Sequence, residues 1–198
     1  MKTIIKTILL AIIFIGYTSC EDSDLPIDTL YDEVDTSGSV VRILVDADTQ
    51  LNVSGTEPRS NSRDILVEIQ QGDGTMTPEF DEVRIYIALF KNSALDEPMT
   101  DFDGNDLGEE YYETIDASQF AELSAVNGLP QYLISSLTPD LLATFPTADL
   151  TNFTYIRTRF ELEMSDGRVW SDYNSGGALS GPYFSASFTS RSVIRVNE

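Results

Sequence analysis

Thirty-three aspartates and glutamates, twelve lysines and arginines, a single cysteine and no histidine are present in the 198-residue chain. Without histidine, the Ser/His/Asp and Cys/His arrangements that activate a nucleophile cannot be assembled. Zinc sites built from Cys and His are excluded for the same reason. Carboxylate-pair hydrolysis needs only two acids flanking one bond, but no spacing in the sequence singles out a pair. The chain is therefore expected to be non-enzymatic, with a small carboxylate-based hydrolase as the remaining catalytic alternative.

Two local patterns could bind a ligand. Asp101-Phe102-Asp103-Gly104-Asn105-Asp106 alternates oxygen donors ahead of Glu109 and Glu110, the hard-oxygen chemistry that calcium takes. Asp101, Asp103 and Asn105 are the candidate ligands, and calcium is the candidate cofactor. The spacing departs from an EF-hand, whose sixth and twelfth places are held here by Asp106 and Tyr112. The alternative reading is an acidic surface turn. Trp170, Tyr173 and Tyr183 surround the glycine-rich stretch 174–181 and could present flat rings to the apolar faces of sugars, although a lone tryptophan in a sheet is equally at home in the core.

The elements that would carry these residues follow an apolar period close to two, the mark of side chains alternating across a sheet. Residues 39–53 read as one or two strands with a bend at Asp46–Asp48. In 63–71, Ile65, Val67 and Ile69 share one face, and Gly72-Asp73-Gly74 supplies a turn. Phe80–Phe90 is apolar on both faces, as a central strand requires, and Tyr111–Ile115 reads as another strand. Over Asn152–Met164, Ile156, Thr158, Phe160, Leu162 and Met164 alternate with Tyr155, Arg157, Arg159, Glu161 and Glu163, one face dry and one wet. Asp166-Gly167 then allows a tight hairpin into Arg168–Ser171, and Tyr183–Thr189 and Ser192–Val196 read as two closing strands. The single helix expected is Pro139–Phe145, with Thr138 as N-cap. About seven short strands and one short helix predict an all-β antiparallel sandwich, immunoglobulin-like and Greek-key, with a barrel as the alternative.

The N-terminus sets an address. Lys2 and Lys6 precede the apolar run Ile8–Ile15, and Tyr17-Thr18-Ser19 leads to Cys20. That is the layout of a secretory signal, and the run is far shorter than the roughly 20 residues that span a bilayer. Ending on Cys20, the segment resembles the lipobox of bacterial lipoproteins. The resemblance implies cleavage after residue 19 and acylation of Cys20, with palmitate-type chains that each add about 0.8 kcal/mol of membrane affinity per buried methylene. A free thiol and an ordinary signal-peptidase site are the alternatives. Glu21-Asp22-Ser23-Asp24 is similar to the acidic surface-export tag of Bacteroidetes lipoproteins, pointing to the outer face of the outer membrane; a plain solvated tether is the other reading. Residues 20–38 read as that tether and 39–198 as one domain. Loss of Lys2 and Lys6 with the signal takes the formal charge from −21 to −23, which excludes nucleic acid as a partner, since that binding neutralises phosphates with Lys and Arg.

Phe160 to Ser171 with its Asp166-Gly167 turn, the closing Tyr183-Phe184 strand, and Leu129-Pro130 through Leu141-Leu142 as a helix and loop together resemble the lipoproteins found beside TonB-dependent transporters and their lid lipoproteins in starch-utilisation-type systems. The likeness implies an accessory or binding module anchored to the membrane by lipid and near a transporter complex or a glycan. It carries over no binding residue. A structural or adhesive surface subunit, joined through open strand edges, is the alternative.

Overall fold

In the computed structural model the described residues are 38–47, 49–53, 62–72, 74–121, 128–151, 153–175 and 188–195. The chain divides at Asp35, and all of these residues belong to the unit Thr36–Glu198. The export segment, Cys20 and nearly all of the tether 20–38 lie outside them, as do Asp48, Asp73, Asn152 and residues 176–187, and with these Tyr183.

The strands are β1 (Ser39–Ala47), β2 (Gln50–Asn52), β3 (Ser62–Gln71), β4 (Phe80–Phe90), β5 (Glu110–Asp116), β6 (Gln131–Leu137), β7 (Thr154–Met164), β8 (Val169–Trp170) and β9 (Thr189–Arg195). They form two sheets. One has the order β1-β3-β6, and the other β2-β9-β7-β4-β5 with β8 on β7. Pairing is antiparallel except between β2 and β9. The protein is therefore an all-β sandwich of two separate sheets, and the barrel alternative is set aside.

Inward residues of both sheets meet in one apolar cluster. Val41, Ile65, Val67, Ile69 and Ile134 come from the first sheet, and Val83, Ile85, Phe160 and Leu162 from the second. A second cluster of Leu51, Ile87, Leu89, Met99, Ile156 and Ile194 is closed by Leu141 and Phe145 at the helix α1 (Thr138–Ala143). Each large side chain buried in this way stabilises the fold by about 1.5–3 kcal/mol.

Strands β3, β4, β5 and β7 stand where the alternation predicts them, and β4 lies between β5 and β7 as its two apolar faces require. Gly167 takes φ +83° in the Asp166-Gly167 turn, a conformation that costs other residues about 1 kcal/mol or more. Three expectations need correction. The segment from Leu129 begins not with helix and loop but with strand β6, whose pattern is hidden because Leu133 and Leu137 face solvent while Ser136 faces inward. The helix starts at Thr138, with Leu137 in the cap position and no side-chain cap, because Thr138 is itself buried. Across 189–195, where one strand was expected to end and another to begin, β9 runs unbroken, since Ser190 and Ser192 are buried inward positions and not a turn.

Candidate functional site

The outward face of the larger sheet is not simply wet. Cross-strand register aligns Tyr111 of β5 with Tyr86 of β4, and Tyr86 with Arg159 of β7. Directly opposed side chains lie about 5 Å apart at Cβ, so this register alone brings a cation against a ring. The Arg159 guanidinium carbon lies 4.4 Å from the Tyr86 ring centre, and Tyr111 meets Tyr86 edge-on at 6.0 Å.

Two loops complete the array. Glu109, just before β5, takes Arg159 with both carboxylate oxygens, Oε2 accepting from Nε at 2.8 Å and Nη2 at 2.6 Å and Oε1 from Nε at 3.0 Å, and Oε1 also receives Arg157 Nη2 at 3.1 Å. Glu161 receives Arg159 Nη1 at 2.7 Å. After the hairpin, the Ser171 amide donates to Asn174 Oδ1 at 2.7 Å, and Asn174 Nδ2 donates to the Val169 carbonyl at 2.7 Å. This closed turn sets the Tyr173 ring 4.8 Å from the Arg159 guanidinium. Arg159 thus ends only 3% exposed on the outside of the sheet, while Tyr173 above it is 69% exposed.

Electrostatics follow from these contacts. Burial works against the charge of Arg159, but the hydrogen bonds to Glu109 and Glu161 outweigh it and hold the guanidinium above its ordinary pKa. Burial and the neighbouring Glu161 raise the Tyr86 phenol. Desolvation also lifts the Asp172 carboxyl above the usual carboxylate range, against the pull of Arg159 and Arg157, although the residue as a whole is exposed. The arrangement holds exposed aromatic rings rigidly over a fully compensated cation. It can stack against a flat, weakly polar ligand face, and it offers carboxylates at its rim to hydroxyl groups.

The sequence-expected platform is brought together only in part. Tyr173 lies on this outer face, whereas Trp170 pairs with Leu162 and packs half-buried against the inner core, with Arg168 5.9 Å from its ring. Tyr183 lies outside the described residues. Tyr86, Tyr111, Glu109 and Arg159 take the remaining places. Arg159 was legible as an outward residue, but Glu109 was marked only as part of the acidic calcium pattern, and nothing local linked it to an arginine 50 residues away in sequence.

At the acidic segment, Asp101 Oδ1 accepts the amides of Asp103 at 2.9 Å and Asn105 at 2.8 Å, and Oδ2 accepts Asn105 Nδ2 at 3.0 Å. The side-chain and backbone bonds from Asn105 hold the Asp101 carboxyl below its usual range. Asp101 and Asn105 are spent on closing a turn around Gly104, and among the described residues no group of three His, Cys, Asp or Glu is placed to hold a metal ion. A groove of about 550 Å³ lies elsewhere, beside Met76, Pro78, Phe80, Phe120 and Pro130. Ser165, the one serine among the described residues that line it, is already hydrogen-bonded to Asp81.

A different buried cation joins the two sheets. Arg63 of β3, 2% exposed, donates to Thr158 of β7 at 2.9 Å, to Ser190 of β9, and to Asp46 of β1 at 3.0 Å. Its signal in the sequence was parity: position 63 shares the inward face of Ile65, Val67 and Ile69. No protein-family model matches the chain, and no curated protein matches it.

Proposed function

We propose that the mature chain is a lipid-anchored, non-enzymatic binding module of the bacterial outer membrane, facing the cell exterior and using the outer tyrosine face to hold glycan. The observation that carries the binding half of this reading is Tyr173, a 69% exposed ring seated on the buried guanidinium of Arg159, with Tyr86 and Tyr111 continuing the row. An exposed ring held in place by a cation loses little conformational entropy when a sugar stacks on it. The anchor half rests on the export segment ending at Cys20 and the acids that follow it. The strand order, in which the chain passes between sheets from β1 to β2, β2 to β3, β3 to β4, β5 to β6 and β6 to β7, supports an immunoglobulin-like Greek key.

Calorimetric titration with a panel of neutral polysaccharides tests the binding half: heat that disappears in Tyr173→Ala supports it, and a flat response across the panel sinks it. Mass spectrometry of the native protein tests the anchor separately. An unmodified Cys20 thiol or a retained leader removes the membrane address. Association with a TonB-dependent transporter is part of the same reading, and co-purification from membranes is its check.

A further inference from the structure

The open edges of the two sheets are guarded unequally. Edge strand β5 carries Glu110, Glu113 and Asp116, β1 carries Arg42 and Asp46 and a register shift between Ile43 and Val45, and β2 is only three residues long. Charges, bulges and shortness are the usual devices that keep an edge from pairing. Strand β6, Gln131-Tyr132-Leu133-Ile134-Ser135-Ser136-Leu137, has none of them: no charge, no proline, seven residues and an unbroken register against β3.

The direction of its backbone groups can be read from its neighbours. Gln131 exchanges both hydrogen bonds with Ala121, at 2.8 and 3.0 Å, on the side away from β3, while the Pro130 carbonyl accepts from Ile69 of β3. Because the two sides alternate along a strand, Leu133 and Ser135 also point their N–H and C=O groups away from β3, and so does the N–H of Leu137, whose carbonyl is taken up by the first turn of helix α1. Among the described residues nothing pairs with the remaining groups. The side chains of the same three residues face outward, with Leu133 50% and Leu137 49% exposed.

We infer that β6 is a self-pairing edge, at which a second copy of this chain adds its own β6 antiparallel to form a continuous six-stranded sheet. Gln131 is already taken by Ala121, so one register uses Leu133, Ser135 and the remaining N–H of Leu137, the one centred on Ser135. There Ser135 faces Ser135 of the other copy, and Leu133 faces Leu137 in both directions. The exposed leucines then cover each other and extend the outer row Val45–Leu66–Leu133 that the register already draws across the first sheet. Charge selects the occupant as well. Two copies of a chain with net charge −21 repel along β5 but can approach along a strand with no charge. A single seven-residue strand pair buries less than the roughly 1,200 Å² of a stable complex, so the dimer is reversible and concentration-dependent, and crowding on a membrane favours it.

The test uses the chain with Cys20→Ser, followed by sedimentation velocity over a wide concentration range. The expected result is a monomer–dimer equilibrium that both Leu133→Lys and Leu137→Lys abolish while leaving the thermal melt in place. Single cysteines fix the register. Under mild oxidation Ser135→Cys forms a disulfide-linked dimer, since directly opposed residues lie about 5.5 Å apart at Cα. Leu133→Cys alone does not, whereas an equimolar mixture of Leu133→Cys and Leu137→Cys does. A chain that stays monomeric at every concentration overturns the inference, and so does equal crosslinking by Ser135→Cys and Leu133→Cys. Crosslinking of Ser135→Cys in cells only to a different protein replaces the second copy with a foreign strand.

Discussion

Arg63 and Arg159 are both almost completely withdrawn from water, yet one lies between the sheets and the other outside them. Around Arg63 there is one carboxylate, Asp46, and two hydroxyls, Thr158 and Ser190. Burial prevails there and lowers the guanidinium pKa in spite of Asp46. Around Arg159 there are two carboxylates and two rings, and the same penalty is overcome. The difference teaches that burial of a charge is not one condition. Inside, the cation is an under-compensated pin that ties β1, β3, β7 and β9 together. Outside, it is an over-compensated base on which exposed tyrosines are mounted.

Removing each arginine is the sharpest way to break this contrast. Arg63→Ala deletes the pin, opens a cavity between the two apolar clusters, takes the Arg63 donor from Thr158 and leaves Asp46 without its cation, at an expected cost of about 3 kcal/mol, read as a lower urea midpoint. Arg159→Ala leaves Glu109 and Glu161 partly hydrated and able to turn to solvent, so about 2 kcal/mol is expected in the same measurement. An equal or larger loss at Arg159 would erase the distinction.

Smaller changes sharpen it. Tyr173→Ala is expected to shift stability by no more than about 0.5–1 kcal/mol, the worth of an exposed cation–π contact, while removing glycan heat in calorimetry. A large loss of stability would make Tyr173 structural instead. The smallest effect is expected at Asp172. A carboxyl whose pKa is raised in the fold contributes stability that is present below its unfolded value and is lost as pH rises through the folded one. Asp172→Asn removes that loss, so thermal melts of the two proteins should coincide in acid and separate slightly in favour of Asn at neutral pH. Separation in the opposite sense would mean that Arg157 and Arg159 dominate this carboxyl.

Much of the sheet framework was legible because strand alternation is local. Phe80–Phe90, the 154–164 strand and the Asp166-Gly167 turn needed no partner to be recognised. β6 escaped because its inward Ser136, in register with Arg63, and its outward Leu133 and Leu137 invert the usual polarity. Of the expected platform residues, Tyr173 lies over Arg159 on the outer face, held by the turn after β8, while Trp170, paired with Leu162 on β8, takes the inward side.

By itself, then, the sequence determined the all-β class, most strand positions, the lack of histidine-based chemistry and a strongly acidic surface, since each depends only on composition or on the two-residue repeat of an extended chain. The tertiary structure alone decided which polar residues lose their water and which partners answer them. Arg63 finds Thr158 and Ser190 at 95 and 127 residues' distance, and Arg159 finds Glu109 at 50. Such pairings are set by how strands cross between sheets, and no pattern within a single strand contains that information.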